Sequence, residues 1–146
     1  MSESNVHYFK LLEKKYEIEE DIFKKLSDLQ NLKKKIADQQ RKRAKDNRER
    51  EENLIKMADF EAKGLPDKAL KSEVSAKKKE ASIAQKDYKI RDFERKIAKV
   101  EEEIDNLELE LKDAENDITA HETGTPVQEE NKPPLEPTVL EDDDYS

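Results

Sequence analysis

Residues 90–118 read IRDFERKIAKVEEEIDNLELELKDAENDI, in which Ile90, Phe93, Ile97, Val100, Ile104, Leu107, Leu111, Ala114 and Ile118 follow one another in alternating steps of three and four. A helix turns once in ~3.6 residues, so this spacing gathers the apolar side chains along one narrow face, the seam of a coiled coil. Such a seam persists in water only when another helix covers it.

Outward from this stretch, residues 67–121 contain neither proline nor glycine and stop at Thr123-Gly124-Thr125-Pro126. Upstream, residues 5–63 are equally free of both and consist largely of good helix formers. Between the two runs stands Lys63-Gly64-Leu65-Pro66-Asp67. Gly64 suits the left-handed residue that closes a helix, and Pro66 suits the first position of the next one. The reading is a first helix over 5–63, a turn over 64–67 and a second helix over 67–121. Residues 122–146 form an acidic, proline-containing tail, predicted to be disordered because it lacks the apolar residues that would offset its ordering entropy.

The first helix offers a seam of its own. Tyr8, Leu12, Ile22, Leu26, Leu29 and Ile36 share a heptad register, interrupted by Glu19 and Lys33, and the register resumes at Leu54 and Met57. Between those stretches it falls on Gln40, Arg43, Asn47 and Arg50. Folding the chain back at Leu65 pairs positions whose numbers sum to about 130, which sets Leu12 opposite Ile118, Ile22 near Leu107, Leu26 opposite Ile104, Leu29 near Val100 and Ile36 near Phe93. Apolar meets apolar throughout. The predicted fold is therefore all-α, a long two-helix antiparallel coiled-coil hairpin, with arms of ~80 Å at ~1.5 Å per residue.

Composition sets the outer limits. Only 33% of the 146 residues are hydrophobic and 45% are charged, which argues against a thick core. Cysteine is absent, which removes disulfides and thiolate chemistry and suits a reducing compartment. No apolar run approaches the ~18 residues of a membrane span, and the opening MSESNVHYFK has no signal-peptide core. These features point to an intracellular protein, cytoplasmic or nuclear.

Catalysis needs groups that converge in a water-excluding pocket, which a two-helix hairpin does not offer, so no enzymatic activity and no cofactor are expected. His7 and His121 fall near the ends that the hairpin brings together, where a two-histidine metal site is conceivable but ordinary surface histidines are the expected case. The acids of residues 101–117 lack the glycine turn and alternating ligands of a calcium loop and read as a solvated face.

The basic middle is less ordinary. Arg41, Lys42, Arg43, Lys45, Arg48 and Arg50 on the first helix are set by the fold-back against Lys77, Lys78, Lys79, Lys86, Lys89 and Arg91 on the second. Counting acids, residues 38–50 carry +3 and residues 77–91 carry +4, so like charge should weaken the pair there. Such a band suits phosphate, acidic protein segments or an anionic surface. The chain's net charge of −8 and the near absence of aromatics in the band disfavour nucleic acid, which stays the alternative.

The function read from this pattern is a structural or adaptor subunit that mediates protein–protein assembly in a larger complex. Its partner is a protein engaged through coiled coil, in a homo-oligomer or a heterocomplex. Residues 101–117 carry −8, so acidic end and basic middle should attract across molecules and cover the seam-flanking Phe23, Leu32, Ile83 and Leu109. Lys42-Arg43-Ala44-Lys45 resembles a short nuclear-import patch only weakly, and Thr125-Pro126 and the acidic end are candidates for phosphorylation.

Overall fold

The computed structural model describes residues 3–124. It contains two helices, α1 (Glu3–Ala62) and α2 (Pro66–Thr123), packed against each other as an antiparallel hairpin, and the described residues contain no strand. The first helix starts two residues before and ends one residue short of its expected bounds, and the second extends past its bounds at both ends, so residues 122 and 123 belong to α2 rather than to the tail. Residues 125–146 of the predicted disordered tail lie outside the described residues.

The turn follows from three residues. Gly64 has φ of 74°, its N–H donates to the Glu61 carbonyl at 3.1 Å, and the Leu65 N–H donates to the Phe60 carbonyl at 2.9 Å. These two bonds form a Schellman motif and satisfy carbonyls that the end of α1 would otherwise leave open. Pro66 then begins α2 at a position where its missing N–H costs nothing, and the Leu65 carbonyl accepts the Ala69 N–H at 3.1 Å. Asp67 places a carboxylate in the first turn, where the helix dipole favours it.

Contacts divide the described part of the hairpin into two units, one formed by residues 3–24 with 104–124 and one formed by Lys25–Glu103. In the first unit, Ile18, Ile104, Ala114 and Ile118 are buried, with Leu11, Ile22, Leu107 and Leu111 half-buried beside them. The core of the second unit holds Leu29, Ala69 and Ala76, flanked by half-buried Ile36, Ile90, Phe93, Ile97 and Val100. No large side chain among the described residues is fully buried, as expected when one helix covers only one side of another.

The seam of α1 differs from expectation by one residue. The positions at Tyr8, Ile22, Leu29, Ile36 and Met57 face α2, but the alternate positions are Leu11, Ile18, Lys25, Leu32, Gln39, Asp46, Asn53 and Phe60, each buried or half-buried. Ile18 is 6% exposed and Leu26 is 46% exposed, so Leu26 is an outward residue and not a seam residue. Leu12 is half-buried beside the seam. Lys25 occupies the position expected for Leu26, because its aliphatic stem packs while its ammonium reaches Glu103 at 3.0 Å. Leu32 and Ile83 likewise line the seam, so the expected role of flanking apolar residue does not hold for them. On α2 the seam extends back from Ile90 through Lys86, Ile83, Lys79, Ala76 and Ser72 to Ala69.

Candidate interaction surface

Within the Lys25–Glu103 unit the seam turns polar around Asp46, whose side chain is only 11% exposed. Ser82 Oγ and Lys86 Nζ each donate to Asp46 Oδ2 at 2.6 Å, and Lys86 also lies 2.7 Å from Ser82 Oγ. Lys79 Nζ stands 3.9 Å from Asp46 Oδ1 and 2.7 Å from Glu49 Oε1. The hydrogen bonds from Lys86 and Ser82 hold the Asp46 carboxyl below the ordinary aspartate range. Lys79 lowers Glu49 in the same way, and Glu49 in turn raises Lys79.

Two further ion pairs cross between the helices here, Arg43 Nε to Asp87 Oδ1 at 2.5 Å and Arg50 to Glu80 at 3.6 Å. The expected weakening by like charge is therefore corrected. Net charge counts all residues of an arm, whereas pairing depends on which residues face each other, and Asp46, Glu49, Glu80 and Asp87 stand among the opposing bases.

The expected interaction residues fall into three groups. Arg43, Arg50 and Lys79 bridge to the opposite helix. Arg41 and Lys42 pair with Asp38 on their own helix, and Lys77 pairs with Glu73. Lys45, Arg48 and Lys78 are exposed and make no ion pair within 4.0 Å among the described residues. The band is thus a cross-linked polar section whose outward cations are fewer than its composition suggests.

At the end of the first unit, the Tyr8 hydroxyl donates to Glu122 Oε2 at 2.7 Å, and its ring stacks on His121 with centroids 5.3 Å apart. The Glu122 hydrogen bond raises the Tyr8 phenol above its ordinary value. The His7 and His121 rings lie 5.6 Å apart. Among the described residues, no three histidine or carboxylate side chains gather as a metal site.

Sequence reasoning named Phe23 but missed the rest of the surface to which it belongs, on the outward side of the helices. On α1, Phe9, Leu12, Tyr16 and Phe23 continue at helical spacing one residue out of step with the seam, and Phe9, Leu12 and Tyr16 line an open groove together with Glu13, Glu17 and Glu20. On α2, Leu70, Val74 and Tyr88 are exposed along another line, with Ala81 and Ala84 between them. The signal was present as a second set of steps of three and four, beginning at Phe9. It was absorbed into a single seam by the choice of Leu12 and Leu26.

No known protein family matches the chain, and neither a curated protein nor a solved structure matches it. No helix among the described residues is long and apolar enough to cross a membrane.

Proposed function

We propose that this chain is a non-enzymatic coiled-coil structural or adaptor subunit, acting in the cytoplasm or nucleus, that assembles protein partners on the outward faces of its hairpin. The observation that carries this reading is the row Phe9, Tyr16 and Phe23. All three aromatic rings are left exposed at helical spacing although the two-helix seam beside them is already occupied. Large aromatics gain most of their binding energy when a partner takes them out of water, and a helical row of them suits a further helix. The nucleic-acid alternative has less support, because six of the nine cations at 41–50 and 77–79, Arg41, Lys42, Arg43, Arg50, Lys77 and Lys79, are engaged in ion pairs within the chain.

The test is capture from the native cell with the full chain and with a Phe9→Ser, Tyr16→Ser, Phe23→Ser variant of equal helicity. A stoichiometric protein partner retained by the first and lost by the second is the expected result. Salt-sensitive recovery of nucleic acid by both, without a protein partner, would overturn it.

A further inference from the structure

We infer that the acidic aromatic row on α1 docks on the basic apolar row on α2 of a second copy of this chain. The inference deepens the assembly reading above and rests on it. Each row is described within its own unit.

The first row consists of Phe9, Leu12, Tyr16 and Phe23, of which Phe23 is 65% exposed. Along one flank stand Glu13, Glu17 and Glu20, and Glu13, Glu17 and Glu20 all line the groove that Phe9, Leu12 and Tyr16 open. Four apolar side chains beside three carboxylates form a surface that water covers poorly and that a cation-flanked apolar helix covers well.

The second row has the matching chemistry. Leu70, 59% exposed, leads through Val74, Ala81 and Ala84 to Tyr88 at steps of three, four and seven. On one flank lie Lys71, Lys78 and Lys89, all exposed. None of these three lysines makes an ion pair within 4.0 Å among the described residues. Carboxylates flank one row and ammonium groups the other, so the pairing is complementary in sign as well as in apolar content.

The lengths also correspond. Residues 9–23 extend ~21 Å along a helix and residues 70–88 extend ~27 Å, at ~1.5 Å per residue. A contact of that length and one helix width lies at the low end of specific interfaces, near or below ~800 Å² per partner. Association is therefore reversible and concentration-dependent. A contact between two different patches is heterologous, so it either closes into a pair or continues as a chain of copies.

The experiment is sedimentation of the full-length chain over a wide concentration range at low, physiological and high salt. Three proteins are compared: the native chain, a Glu17→Lys, Glu20→Lys variant and a Lys78→Glu, Lys89→Glu variant. Glu17, Glu20, Lys78 and Lys89 are all exposed and make no ion pair among the described residues, and unchanged helical circular dichroism and melting confirm that the fold persists. The native chain should self-associate, and each reversal should weaken self-association by about tenfold or more, equivalent to ~1.4 kcal/mol. Mixing the two variants should restore association between them, because each then presents one reversed row to the other's reversed row. A native chain that is monomeric throughout, or an oligomer indifferent to both reversals, overturns the inference. If the monomeric chain still captures a cellular protein through Phe9, Tyr16 and Phe23, the assembly reading stands and the occupant is a different protein. If capture fails as well, both fall.

Discussion

Asp46 is a buried carboxylate in the seam of α1, and its surroundings determine what its loss does. Lys86 is 18% exposed at the side chain and donates to Asp46 and Ser82 together. Asp46→Asn leaves Lys86 without its carboxylate in a poorly solvated place, so the expected loss is about 1–3 kcal/mol, read by thermal melting. Replacing Asp46, Ser82 and Lys86 together by Leu, Ala and Leu should be neutral or stabilising, since no charge is then left stranded. The pH dependence has a definite sign. The folded-state pKa of Asp46 is lowered, so its contribution is fully present above the unfolded value of ~3.9 and is lost as pH falls through the lower folded value. The deficit of Asp46→Asn relative to the native chain should therefore be constant near neutrality and shrink below about pH 4. A deficit that stays unchanged in acid would show that Lys86 does not depend on the charge of this carboxylate. None of this network was legible beforehand, because the expected register put Asn47 rather than Asp46 in the seam and so did not turn Asp46 toward Ser82 and Lys86.

At the scale of the helix, legibility followed apolar density. The stretch from Ile90 to Ile118 on α2 shows one unbroken pattern, and each of its seam positions is buried or half-buried. Gly64 and Pro66 marked the turn because each carries a backbone property that no neighbour shares. On α1 two interleaved apolar rows competed, and leucine at 12 and 26 outweighed isoleucine at 18 when lysine stood at 25. Paired substitutions separate the two registers. Ile18→Ala should cost about 2–4 kcal/mol as a large-to-small change in the seam, whereas Leu26→Ala should stay within about 0.5 kcal/mol. Denaturant midpoints at constant slope provide the measurement, and equal losses would return Leu26 to the seam. Gly64→Ala tests the turn: the space around it is open, but φ of 74° strains a residue with a Cβ, and a loss of about 1 kcal/mol is expected. Ala76, 1% exposed, sets the close approach of the helices in its unit, and Ala76→Leu should overpack it at a cost of about 1–3 kcal/mol.

For the whole molecule the decisive question is whether the two helices that pair belong to one chain. Contacts that join α1 to α2 obey an antiparallel register: Tyr8 meets Glu122, Lys25 meets Glu103, Arg43 meets Asp87 and Lys79 meets Glu49. A swapped dimer that opens at the turn would place the same residues together between chains, and an intrachain cross-link tells the two arrangements apart. The absence of native cysteine makes a direct test clean, because two introduced thiols are the only ones present. Ile22 and Leu107 lie at opposed seam positions of one unit and are half-buried, which leaves their replacements open to oxidant. Ile22→Cys with Leu107→Cys should form a disulfide readily, whereas Ile22→Cys with Ile118→Cys should not, since 11 residues of helix separate the second site from the first by ~16 Å, beyond the ~7 Å reach between Cα atoms. At low protein concentration the cross-linked product should migrate as a single chain that resists unfolding more than its reduced form. A product of twice the mass would assign the seam to two chains and move the Schellman turn from a hinge in a hairpin to a link between partners. The cross-linked monomer then serves a second purpose. With the seam locked within one chain, any remaining concentration-dependent association must use outward surfaces, and its sensitivity to Phe9→Ser, Tyr16→Ser and Phe23→Ser would locate it on the aromatic row of α1.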